Sequence, residues 1–178
     1  MAAPDTARLV MGTKLATALL PFFCGLLGVL ISNLPVTLLG GVVPPPLLGF
    51  IPIYFWCLVR PDLMTPAATF AIGILQDVMA GGPPGIWTLA FVVSYAVIQR
   101  QRDAFAGLSG VAAVLGFATA TLIVCAVAYG TTTAYFLRIA PLGPIVGELA
   151  ITVLFYVPGA FVIGGVHRRL VGPLRTDF

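Results

Sequence analysis

Long apolar runs, broken only by prolines, glycines and isolated arginines, fill this chain and constrain its fold more than any other feature. Sixty per cent of the 178 residues are hydrophobic and 8% are charged. A water-soluble domain carries about 25% charged residues, so this chain has too little charge to cover a surface facing water. Its expected solvent is the bilayer. Backbone polar groups cannot go unpaired in hydrocarbon, which leaves helices or a closed barrel. Barrel strands alternate at period two, and these runs are continuous instead. The expectation is an all-α membrane protein, a bundle of six transmembrane helices forming one integral domain over residues 1–178.

Breakers and basic residues set the expected spans at about 15–34, 47–59, 64–80, 86–98, 107–130 and 142–166. Arg8 and Lys14 precede the first run, which is longer than a signal-peptide core and lacks a small-x-small cleavage site; it reads as an uncleaved span. Three successive prolines, Pro44 to Pro46, stop any helix and extend the chain. Val36 to Val43 before them is too short to cross ~30 Å and is expected at the outer interface or against the bundle. Spans two and four are short for a full crossing, which flanking residues or a locally thinned bilayer can accommodate. With the N-terminus in the cytoplasm, Arg8, Lys14, Arg60, Arg100, Arg102, Arg168, Arg169 and Arg175 all fall inside, and Arg138 alone falls outside. That split follows the positive-inside rule and places both termini in the cytoplasm.

The net charge of +3 comes from basic residues at the ends of apolar runs, so it marks topology rather than a nucleic-acid surface. Cys24, Cys57 and Cys125 lie within apolar runs without ligand-like spacing and read as buried free thiols, with no disulfide or metal site indicated. No phosphate-cradling loop, HExxH or GxSxG is present. His167, the single histidine, has no positioned nucleophile or carboxylate beside it and reads as an interfacial residue. No enzyme and no cofactor is expected.

Ionisable residues inside a span are costly, and that makes them candidates. Asp77 and Glu148 stand out. Each lies on the order of 5–9 Å below the outer edge of its span at ~1.5 Å per residue, so the two can share one outer-leaflet pocket, with Arg138 the basic residue in reach. Asp77 can serve the Gly81–Gly85 turn or a partner; Glu148 can be structural or contact a ligand. Arg60, followed by Pro61 and Asp62, is a topology anchor or a cytoplasmic docking point. Ala112, Gly116 and Ala120, and Gly143 with Gly147, offer small-residue packing faces.

The middle of the chain carries a resemblance. Pro46-Leu47-Leu48, Tyr54-Phe55-Trp56 and Arg60-Pro61-Asp62, followed by Gly73-Ile74-Leu75-Gln76-Asp77-Val78-Met79-Ala80-Gly81-Gly82-Pro83-Pro84-Gly85, resemble the second span and the following motif of the rod-shape-determining MreD family. Asp77 matches that motif's acid, Gly81 its turn glycine and Gly85 its last glycine. Pro158 also sits where the family tends to place a proline. Gln76 and Pro84 stand where the family usually has apolar residues. The dense part of the resemblance covers about residues 46–95. It implies a non-enzymatic subunit of the bacterial elongation machinery in the inner membrane. Its partners would be MreC, the actin-like MreB, a SEDS glycosyltransferase and a class B penicillin-binding transpeptidase, acting in lateral peptidoglycan synthesis and cell shape. The implied fold is similar to the substrate-binding subunits of energy-coupling-factor transporters. The alternative is a small-molecule-binding subunit of a vitamin or metal importer, which would need a cavity with a few convergent polar groups.

Overall fold

The computed structural model describes residues 4–34, 44–105 and 107–170. Among these every regular element is a helix: α1 (Pro4–Ser32), α2 (Phe50–Val59), α3 (Pro66–Ala80), α4 (Ile86–Arg100), α5 (Arg102–Phe105), α6 (Val111–Phe136) and α7 (Leu142–Leu170). Two of them, α6 and α7, are long and apolar enough to cross a bilayer unaided. At 1.5 Å per residue, the 10 residues of α2 reach about 15 Å and the 15 residues each of α3 and α4 about 22 Å. The expected segment 36–43 lies outside the described residues.

Helix ends follow local chemistry. Thr65 caps α3 by accepting the Ala68 amide at 3.1 Å, and Pro66 occupies the first turn, where its missing N–H costs nothing. Gly107 and Gly110 take positive φ, which delays α6 to Val111 and leaves α5 as a separate turn that the apolar pattern did not announce. At its other end α6 runs past the expected stop at Gly130. Thr131 sustains it by donating to the Val127 and Ala128 carbonyls, and Leu137, at φ +50°, ends it.

The centre of the bundle is α2, with seven of its ten residues buried. A helix apolar all round needs neighbours on all sides, and α1, α4, α6 and α7 supply them. Phe50 and Tyr54 of α2 meet Phe91 of α4, Phe117 of α6 and Tyr156 of α7 at centroid separations of 5.2–5.9 Å, and Phe117 stacks on Tyr156 at 4.2 Å. Glycines let helices close in. A Cβ at Gly28 would stand 2.7 Å from the Leu48 carbonyl oxygen, and one at Gly116 would stand 2.9 Å from the Tyr54 hydroxyl.

The chain entering α2 is not helical and is buried at Pro46, Leu47 and Gly49, so its amides there need other partners. Pro44, Pro45 and Pro46 have no N–H. The Leu47 amide donates to Thr152 Oγ1 of α7 at 2.9 Å, and the Leu48 amide donates to Ser32 Oγ of α1 at 3.0 Å. Two flanking helices thus cap the central one.

Candidate functional site

The acid of the sequence motif faces the next helix. Asp77 sits in the last turn of α3, where the negative end of the helix dipole disfavours a carboxylate. The chain reverses through Gly81 (φ +66°) and Gly85 (φ +99°), both in the left-handed region that glycine enters without strain. This reversal aims the first amides of α4 at Asp77. Oδ2 accepts the Gly85 amide at 2.9 Å, the Thr88 amide at 3.1 Å and the Thr88 hydroxyl; Oδ1 accepts the Trp87 amide at 2.8 Å. The carboxylate is therefore the cap of α4, four donors on two oxygens, held at the positive end of that helix dipole.

One turn earlier, Gly73 permits the approach that makes this possible. A Cβ there would lie 2.6 Å from Thr88 Cα. Gly73, Asp77, Gly81 and Gly85 thus act on one hairpin: close approach, cap, turn and turn. Sequence reasoning found the acid and the turn glycines but missed Thr88, whose signal is its position three residues after Gly85 at a helix start.

A hollow of about 450 Å³ opens over Asp77, with walls from Phe70, Ile74, Val78, Gly82 and Pro84. Phe70, Ile74 and Val78 follow one another at i, i+4 and i+8 and are 44–68% exposed, forming an apolar stripe on α3. Oδ2 is filled by three donors and Oδ1 holds one, so the carboxylate is committed chiefly to the start of α4.

Glu148 lies elsewhere. It is buried on the inner stripe of α7, above Thr152, with the Cys125 thiol of α6 in electrostatic reach. Its neighbour Gly147 packs on Pro44. Asp77 is turned to α4 and Glu148 to α6, and Glu148 does not line the hollow over Asp77. Depth alone does not set azimuth, and α3 and α7 present these residues to different helices. Arg138 is exposed after α6 and makes no ion pair among the described residues.

At the opposite end of the bundle, Arg60 closes on Asp62 across Pro61 through a two-pronged pair, Nε to Oδ1 at 2.9 Å and Nη2 to Oδ2 at 2.8 Å. Arg102 Nε donates to the Leu58 carbonyl, and the Tyr95 hydroxyl donates to the Met64 carbonyl at 2.8 Å. These bonds fasten α5 to the end of α2 and α4 to the α2–α3 turn. His167, expected at the interface, is instead 3% exposed, edge-on to Phe55 and near Arg60, with both ring nitrogens unpartnered among the described residues. The three cysteines are free thiols. Among the described residues no three His, Cys, Asp or Glu side chains gather as a metal-ligand set.

No family model, curated protein or solved structure matches the chain.

Proposed function

We propose that this chain crosses a bacterial inner membrane six times, with both termini in the cytoplasm, and serves as a non-enzymatic subunit of the cell-elongation machinery, acting with MreC. The observation that carries the reading is the ordered MreD-like motif, whose Gly73, Asp77, Gly81 and Gly85 serve a single hairpin rather than scattered roles. Basic residues at the helix ends support the orientation. Arg60 follows α2, Arg100 ends α4, Arg102 starts α5, and Arg168 and Arg169 end α7, whereas Arg138 alone follows α6. The six-crossing bundle includes α2 by way of the Pro44–Gly49 segment, which lengthens its reach beyond 15 Å, and it includes α3 and α4 by local thinning.

The proposed contact with MreC is apolar. Asp77 builds the hairpin, and the stripe of Phe70, Ile74 and Val78 receives the membrane anchor of MreC. MreB, the SEDS glycosyltransferase and the class B transpeptidase would then associate in the same complex.

The test is a mild-detergent pull-down of the full chain, with co-purifying proteins and small molecules identified by mass spectrometry. The wild type is compared with Ile74→Trp plus Val78→Trp, which adds bulk on an exposed face without adding charge. Recovery of MreC and the synthases by the wild type, with loss of MreC by the variant and rounding of cells, is the expected result. Recovery of ATPase subunits or a stoichiometric vitamin would replace this reading with the importer. Unchanged MreC recovery by the variant would remove the contact from α3.

A further inference from the structure

Near its C-terminal end, α7 carries a groove of about 750 Å³ that the elongation reading leaves without a role. Its apolar wall is Phe161, Val162 and Val166; Arg168 and Arg169 stand at its far end. Gly165 shapes the floor: a Cβ there would meet nothing within 4 Å, so the missing side chain leaves open space beside a helix face. Phe161 is 76% exposed and Val162 63% exposed, so this wall faces outward from the bundle.

The charge at the groove's end is unanswered among the described residues. Arg168 and Arg169 are exposed and have no ion-pair partner among the described residues. Asp62 is engaged by Arg60, Asp77 by the amides of α4, and Glu148 lies at the other end of α7. Phe161 precedes Arg168 by seven residues, or ~10 Å along the helix. Chain-like apolar surface and paired guanidiniums therefore follow one another along the axis of a helix apolar enough to cross a bilayer.

We propose that this groove binds an anionic phospholipid, its phosphate held by Arg168 and Arg169 and one acyl chain lying along Phe161, Val162 and Gly165. Guanidinium forks match phosphate oxygens in pairs, and basic pockets at the cytoplasmic end of membrane helices select acidic headgroups. An acidic peptide would satisfy the arginines but would leave the apolar wall, which continues into the membrane-crossing part of α7, uncovered. The inference rests on α7 crossing the bilayer and not on the partners proposed above.

The full chain, purified in mild detergent, is offered equal amounts of phosphatidylglycerol and phosphatidylethanolamine, and retained lipid is read by native mass spectrometry. The wild type should retain the anionic phosphatidylglycerol preferentially. R168Q/R169Q should lower that preference roughly 30-fold, from about a fivefold loss per charge. Gly165→Leu, which fills the floor while keeping both charges, should also displace the bound lipid. Thermal melting of each variant identifies any that misfolds, and the other then decides. Equal retention of the two lipids by the wild type, or a preference unchanged in a folded variant, overturns the proposal. Extraction of the chain from membranes by alkaline carbonate would instead strike at the membrane reading itself, a separate result.

Discussion

Removing the Asp77 carboxylate tests the central claim about the motif, that its acid holds a fold together rather than receiving a ligand. In Asp77→Ala the Thr88 amide and hydroxyl lose their acceptor in a site 8% exposed. Each stranded buried group costs about 1–3 kcal/mol. The Gly85 and Trp87 amides lie at a more open edge, where losing a cap costs about 0.5–2 kcal/mol. Allowing for partial rehydration, the hairpin should lose roughly 3–5 kcal/mol. At 1.4 kcal/mol per tenfold, hydrogen exchange at residues 85, 87 and 88 should accelerate at least about a hundredfold if local opening governs it. Asp77→Asn keeps one carbonyl acceptor but turns an NH2 toward donors, so it should lose about half as much. Thr88→Val removes one donor and should cost about 1 kcal/mol. The assay is hydrogen–deuterium exchange of the full chain in micelles, read at peptide resolution across 81–90. Unchanged protection in Asp77→Ala would refute the cap, and loss of MreC binding without a change in exchange would return the carboxylate to a partner.

Three further outcomes follow from the packing and the ion pair. Gly73→Ala places a Cβ 2.6 Å from backbone of α4 and should lower stability by about 1–3 kcal/mol, seen as a reduced melting temperature in detergent. Thr152→Val keeps the shape but strands the buried Leu47 amide; a loss of about 1–3 kcal/mol should appear in the same melt, with Thr152→Ser restoring most of it. The Arg60 guanidinium holds the Asp62 carboxyl below its ordinary value of 3.8. The charged form is favoured in the folded chain, so this contribution is fully present above the unfolded value and fades as pH falls through the lowered one. Because both partners are exposed, it is worth at most about 1 kcal/mol. Asp62→Asn should therefore shift the melt slightly and equally from pH 5 to pH 8, and remove this pair's share of the acid-induced drop expected of the wild type below pH 4.

Much of the helix map was legible because breakers and charges mark ends in any apolar chain. Pro61, the Gly81–Gly85 turn and Pro141 bound helices in the structure as they do in the sequence. What escaped was azimuth. Counting from the span ends gives Asp77 and Glu148 similar depths, yet one faces α4 and the other α6, and a nearly uniform apolar helix gives no periodic contrast from which to read its inner face. His167 escaped for a related reason: adjacent arginines suggested the interface, whereas its ring continues the inner stripe that runs through Glu148, Thr152, Tyr156 and Ile163 at helical spacing. The end of α6 escaped because Gly130 resembles a stop, while the hydroxyl of Thr131 ties the next turn to the last.

The burial of α2 makes sense of the three prolines. A helix apolar on every side has to sit among other helices, and the chain must then enter it through the interior, where free amides are costly. Of the three prolines Pro46 is the buried one and removes a donor there, and hydroxyls from two neighbouring helices receive the amides at 47 and 48. Thr152 accepts the Leu47 amide while donating its own hydroxyl to the Glu148 carbonyl, so the entry to α2 is tied to the same turn of α7 that holds the buried acid. A displacement of α7 would therefore uncap the central helix. On that ground α7 is anchored along its inner stripe and free only along its outer face, where Phe161, Val162 and the two arginines remain available to lipid.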